Sequence, residues 1–180
     1  MKWKTLKTKI AYENQSLQVR EDLVIRPDGT ESKYSIVERP PVNFIIAEDQ
    51  DSRIYFIEEY RYPINKTILQ LPAGTMEKNE NSLDSAKREL FEETGIKANN
   101  WVKLGKFFIG PGHESIYANV YLATSLDLSQ LNKPALSGDE LILKTIKLST
   151  SEIKELITVG KIECGITIAA LNLYFLRNKI

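Results

Sequence analysis

Residues 74–96 read GTMEKNENSLDSAKRELFEETGI, and the second half of this stretch decides how the chain is to be understood. Leu83, Ala86 and Leu90 recur at helical spacing, and Gly95 stands where a C-terminal cap belongs. On that helix Glu89, Glu92 and Glu93 are spaced i, i+3 and i+4, so about 100° of its surface carries three carboxylates. Like charges at that spacing repel by roughly 0.2–0.5 kcal/mol per pair on an isolated helix. A hard divalent cation reverses the sign, because carboxylate oxygens are its preferred ligands. Arg88 precedes Glu92 by four residues and reaches back toward Glu80, which suits a guanidinium that orients carboxylates. Ala86 and Leu90 are expected in the core. Gly74 is expected to let the backbone turn sharply, leaving the Ala73 carbonyl exposed as a further oxygen ligand.

Working outward, the first forty residues read as strands. Trp3, Leu6 and Ile10 lie in a polar run, and Leu17 to Ile25 is β-rich. Pro27-Asp28-Gly29 forms a turn, and Tyr34 to Arg39 returns as a strand ended by Pro40-Pro41. Such a meander is too thin to bury both faces alone. Val42–Ala47, Ile54–Tyr60 and Thr67–Leu71 are further strands, followed after the helix by Trp101–Ile109, Tyr117–Ala123 and Leu141–Leu148. Helices are expected over Ser151–Val159 and Ile166–Leu176, with Cys164 a core residue at a helix start. Strands on both sides of a helix predict an α/β layered domain over 41–180, preceded by a small antiparallel β subdomain over 1–40.

Composition limits the chemistry. Lys+Arg and Asp+Glu balance at 24 each, which lacks the bulk field of a protein that grips long nucleic acid through phosphates. The lone Cys164 excludes an internal disulfide, and the lone His113 excludes a site needing two histidines from one chain. Metal chemistry must then rest on oxygen ligands, pointing to magnesium or manganese rather than zinc. No apolar signal region follows the Lys-rich start and no stretch is long enough to span a membrane, so the expectation is a cytoplasmic protein with no membrane partner.

The stretch matches the Nudix box at every specified position: Gly74, five residues, Glu80, seven residues, then Arg88-Glu89-Leu90-Phe91-Glu92-Glu93-Thr94-Gly95-Ile96. The fixed positions would coincide by chance on the order of once in 10⁸, so the chain is identified as resembling the Nudix hydrolases. The resemblance implies an α/β/α sandwich with a mixed sheet. It also implies Mg²⁺ or Mn²⁺, two or three ions, held chiefly by Glu92 and Glu93. Glu89 would share the metals or relay protons, the Ala73 carbonyl would join the ligands, and Arg88 and Glu80 would be mainly structural.

Flanking segments are similar to the ADP-ribose pyrophosphatase branch: Glu59-Tyr60-Arg61-Tyr62-Pro63, Leu71-Pro72-Ala73-Gly74, Gly110-Pro111-Gly112 and Gly160-Lys161-Ile162. The implied substrate is ADP-ribose or a similar nucleoside diphosphate sugar; a GDP-mannose-type specificity and a non-hydrolytic ligand-binding module are the alternatives. The branch forms homodimers in which N-terminal strands help build the partner's adenosine pocket. By that resemblance Trp3 and Tyr34 would clamp the adenine, against the plainer reading that Trp3 packs its own strand. Arg39 and Arg61 would contact the diphosphate, against a surface ion pair for Arg39. Glu140, in the loop Ser137-Gly138-Asp139-Glu140, is the expected base for the attacking water, and Glu114, beside Pro111-Gly112 and otherwise a substrate-binding residue, is its rival. His113 receives no catalytic role.

Overall fold

The computed structural model describes residues 2–132 and 141–177. Its chain divides into two compact units, one of Met1–Pro41 with Phe107–Tyr117 and one of Val42–Lys106 with Ala118–Ile180.

The first unit is built on a three-stranded antiparallel sheet of β1 (Lys4–Glu13), β2 (Gln18–Ile25) and β3 (Glu31–Glu38) in that order. The turn at Pro27-Asp28-Gly29 forms as expected, with Gly29 at φ 88° and Asp28 Oδ1 accepting the Thr30 N–H at 2.9 Å. Every residue of β1 is exposed, including Leu6, Ile10 and Tyr12, so this edge strand buries nothing within its unit.

The second unit is a mixed sheet. It contains β4 (Val42–Glu48), β5 (Ile54–Arg61), β6 (Lys66–Gln70), β7 (Ala73–Thr75), β8 (Lys97–Phe108), β9 (Tyr117–Asp127) and β10 (Ile142–Leu148). Five of these run in the order β10-β5-β4-β9-β8, with β6 on β5 and β7 on β4. The central pair β4 and β9 is parallel, Asn43 opposite Asn119 and Ile45 opposite Tyr121, while β4 meets β5 and β7 antiparallel.

Helix α1 (Ser82–Thr94) starts where the Asn81 side chain accepts the N–H groups of Leu83 and Asp84, and ends at Gly95 with φ 74°. Its inner face joins Ala86 and Leu90 to Ile45, Ala47, Tyr55, Ile96, Tyr121 and Ala123 in one apolar core. Full burial of a side chain such as Leu90 is worth about 1.5–3 kcal/mol, which is what anchors the helix bearing the carboxylates. Helix α3 (Gly165–Leu176) packs on β4, and α2 (Thr150–Thr158) begins with a full capping box from Ser149 and Glu152.

Three details depart from the reading of the sequence. β8 begins at Lys97 rather than Trp101, because an edge strand tolerates polar residues and the Asn99 and Asn100 side chains bond to Ser125. Cys164 caps α3 but is only half-buried, so it is not a core residue. Gly74 does not have a positive φ; it lies in β7 opposite Asn43, and its lack of a Cβ serves a close approach instead of a turn. No helix among the described residues is long and apolar enough to cross a membrane.

Candidate active site

Arg88 organises the polar end of α1. Its Nε and Nη2 donate to Glu80 Oε1 and Oε2 at 3.0 and 2.9 Å, a two-pronged grip that fixes the plane of the guanidinium. Its Nη1 faces Glu89 Oε1 at 2.8 Å and Glu92 Oε2 at 2.9 Å. Nη2 also reaches the Thr75 carbonyl at 3.3 Å. The hydrogen bond from Arg88 holds the Glu80 carboxyl below its ordinary range, and Glu80 in turn raises the Arg88 pKa, so both stay charged near neutrality. The contacts of Arg88 with Glu80 and Glu92 are those the spacing predicted.

The neighbouring strand completes the arrangement. Glu93 is 2% exposed and its Oε2 accepts the Ala73 backbone N–H at 2.8 Å. Glu89 is 5% exposed and lies against Gly74, where a Cβ would sit 1.8 Å from its carboxyl carbon. Two nearly buried carboxylates and a half-buried third, Glu92, therefore share one helix face beside β7.

That donor set fits a hard divalent cation, since all its ligand atoms are carboxylate oxygens. Among the described residues no three His, Cys, Asp or Glu side chains converge on one point as they stand. The reason is visible in the contacts: Arg88 draws Glu89 and Glu92 to itself, and Glu93 leans to Ala73. Glu89, Glu92 and Glu93 are the residues that would hold metal after side-chain rotation.

A second polar cluster lies on β5 and β6, and the sequence had singled out only part of it. Arg61 Nη1 pairs with Glu59 Oε1 at 2.8 Å, Arg61 Nε donates to Gln70 Oε1 at 3.3 Å, and Gln70 Nε2 donates to Glu59 Oε2 at 2.8 Å. Glu59 and Gln70 are buried, while the Arg61 side chain is 40% exposed, so two fixed acceptors present a cation to solvent. Glu59 stands two residues from Arg61 on the same face of β5, a period-2 relation that sequence could have disclosed; Gln70 comes from the neighbouring β6, where it pairs with Ile57, two residues before Glu59 on that face.

The remaining candidates lie in the first unit. Trp3 and Tyr34 meet edge to face with ring centres 5.6 Å apart, and Tyr34 donates its hydroxyl to the Gly112 carbonyl at 2.6 Å. Glu114 bridges Val37 through the backbone and lies against Gly110; its Oε2 is buried without a hydrogen-bond partner among the described residues. Arg39 is exposed on the rim of a cavity of about 270 Å³ and forms no ion pair among the described residues. His113 is exposed and contributes its backbone carbonyl to the Val37 N–H. Glu140 lies outside the described residues.

Comparison with known proteins bears on both units. Residues 38–149 match the family model described as NUDIX domain, and residues 3–37 match that of the nucleoside diphosphate sugar hydrolase N-terminal domain. The chain is 32% identical over 168 residues to a methanol dehydrogenase activator of Bacillus methanolicus, covering 93% of this chain and 90% of the relative. It is 31% identical over 139 residues to an ADP-ribose pyrophosphatase of Bacillus subtilis, covering 77% and 75%. An ADP-ribose pyrophosphatase of Mycobacterium tuberculosis is 26% identical over 170 residues, covering 94% of this chain and 81% of that one. A crystal structure of an ADP compounds hydrolase shares the fold with a TM-score of 0.81 at 22% identity, over 99% of this chain and 96% of that one.

Proposed function

This chain belongs to the Nudix family of hydrolases, and from that premise we propose that it cleaves the diphosphate linkage of ADP-ribose or a closely similar nucleoside diphosphate sugar. The products are a nucleoside monophosphate and a sugar phosphate. The observation that carries the reading is the set of three box carboxylates on one face of α1, two of them nearly buried, with Glu89 and Glu92 held by Arg88 and Glu93 by the Ala73 N–H. The names borne by the Bacillus subtilis and Mycobacterium tuberculosis relatives support the choice of substrate.

In this reading Glu92 and Glu93 are the principal ligands of Mg²⁺ or Mn²⁺, with two or three ions held in all, and Glu89 and the Ala73 carbonyl share them. The ions, when bound, supply Lewis-acid polarisation of the diphosphate and lower the pKa of the attacking water. Glu140 takes the proton of that water, with Glu114 as the second candidate. The water oxygen bonds to phosphorus and the bridging P–O bond breaks. Arg61, braced by Glu59 and Gln70, holds a diphosphate oxygen through a charge-assisted bond, and Arg39 serves a neighbouring group. Trp3 and Tyr34 grip the adenine, and the protein acts as a homodimer in which the exposed β1 contributes to the partner's pocket.

The test is phosphate-coupled hydrolysis of ADP-ribose, GDP-mannose, UDP-glucose, NADH, diadenosine polyphosphates and nucleoside triphosphates with magnesium and with manganese. Preferred turnover of ADP-ribose supports the proposal. Preference for GDP-mannose keeps the chemistry and discards the adenine pocket. Absence of turnover with any substrate, alongside measurable metal binding, favours a ligand-binding module.

A further inference from the structure

Beneath the box helix, polar side chains interrupt the apolar core. Asn43 on β4, Asn119 on β9 and Ser85 on α1 are each at most 1% exposed. They form a chain with one direction. Lys103 Nζ, on β8, donates to Asn119 Oδ1 at 2.7 Å; Asn119 Nδ2 donates to Asn43 Oδ1 at 3.0 Å; Asn43 Nδ2 donates to Ser85 Oγ at 2.8 Å. Ser85 Oγ also accepts from Arg88 Nη2 at 3.4 Å, and the Ser85 hydroxyl adds to what Arg88 does in holding the Glu80 carboxyl below its ordinary range. The path crosses three adjacent strands and ends at Arg88, which Glu80 grips.

Each carboxamide in this chain could satisfy its neighbours in either of two orientations, since oxygen and nitrogen are nearly the same size. Lys103 removes that freedom. An ammonium has three donors and no acceptor, so it admits only the Asn119 oxygen. That choice sets Asn43, which must then present its NH₂ to Ser85. Ser85 Oγ, already accepting, has its own proton left for Glu80. Were the amides reversed, the Ser85 hydroxyl would donate to Asn43 and Glu80 would lose it. Apolar residues would fill these core positions without the desolvation that buried amides cost, so orientation is what the chain adds.

We propose that Lys103 is a remote positioning residue, which through Asn119, Asn43 and Ser85 fixes the Glu80–Arg88 clamp and so the resting positions of Glu89 and Glu92. The proposal rests on those carboxylates being the metal site described above. It acts through other residues and touches no substrate. Lys103 is exposed, and its ammonium also lies 5.6 Å from the centre of the Tyr121 ring, so Lys103→Arg, which keeps the cation, is the control for that contact.

The experiment uses the full chain as wild type, Lys103→Met, Lys103→Arg, Ser85→Ala and the double variant Lys103→Met/Ser85→Ala. In metal-free protein, NMR follows the side-chain N–H signals of Asn43 and Asn119 and the Arg88 Nε–H. In parallel, Mn²⁺ affinity is measured by electron paramagnetic resonance. Lys103→Met is expected to shift the Asn43 and Arg88 signals and weaken Mn²⁺ binding by about tenfold, and Lys103→Arg to restore both. The double variant should bind Mn²⁺ no more weakly than Ser85→Ala, because both changes break one chain. Unmoved Asn43 and Arg88 signals in Lys103→Met, or losses that add, overturn the relay. Shifted signals in a protein whose wild type binds no Mn²⁺ overturn the positioning role together with the metal reading.

Discussion

The Ala73 backbone N–H donates to Glu93 Oε2 across 2.8 Å, tying a strand to the last turn of the box helix. The bond gives Glu93 two separable duties, one structural and one chemical. A glutamine at this position keeps a carbonyl oxygen for the Ala73 N–H but loses the charge that a cation requires. Glu93→Gln is therefore expected to melt within a few degrees of wild type while hydrolysis of ADP-ribose falls by about 10²-fold or more. Parallel calorimetry and kinetics check this. A variant that unfolds, or one that retains its rate, refutes the division.

Gly74 presents a different test. An added Cβ would overlap the Glu89 carboxylate, whose nearest oxygens would lie 2.1 Å away, but the obstructed atoms are the far end of a flexible side chain. The backbone φ of Gly74 is not in the left-handed region, so alanine is not strained there. Gly74→Ala should displace Glu89 at a stability cost of about 1 kcal/mol, yet weaken Mn²⁺ binding by about tenfold. Equilibrium unfolding and Mn²⁺ titration separate the two effects. Unchanged Mn²⁺ affinity would remove Glu89 from the ligand set.

What sequence could disclose follows from the range over which each feature is determined. The helix over Ser82–Thr94, its cap at Gly95 and the Arg88 grip on Glu80 and Glu92 all depend on residues within one short segment, and their spacing carried them. The short strand β7 depends on its pairing with β4, and the Gln70 brace for Arg61 on the register of the β5–β6 hairpin, neither of which the residue pattern records. In sequence Gly74 reads as a turn because glycine most often serves one; its need arises from a carboxylate fifteen positions away in the chain, brought close only by folding. The buried amide chain from Lys103 was equally hidden, since Asn43 and Asn119 sit within runs that read simply as strands.

Trp3 lies just before β1, is 52% exposed and contacts Tyr34 edge to face. Its exposure argues against a purely packing role, and an unburied indole is a ready stacking surface. Stacking on a base is worth about 1–3 kcal/mol, so Trp3→Ala should raise KM for ADP-ribose by about tenfold or more with kcat little changed. Steady-state kinetics decides the matter, and the same variant should lose its discrimination between ADP-ribose and GDP-mannose. An unaltered KM would leave Trp3 outside the pocket.

The Glu80–Arg88 pair makes a prediction about acid. Glu80 titrates below its ordinary value of 4.5 in the folded protein, first because Arg88 hydrogen-bonds its carboxylate. A depressed folded pKa means that the unfolded chain binds the proton more readily, so stability rises with pH across this window. The contribution is present above about pH 4.5 and is lost as the pH falls through the depressed folded value. Both side chains retain some contact with water, 16% for Glu80 and 25% for Arg88, which moderates the pair to about 1 kcal/mol. Glu80→Gln should accordingly be less stable than wild type by that amount near neutrality, and the difference should shrink as the medium is acidified below the ordinary carboxylate value. Urea unfolding of the two proteins at a series of pH values measures the gap directly. A gap that stays constant down to the acid transition would mean that Glu80 contributes packing and hydrogen-bond geometry, with no part played by its charge.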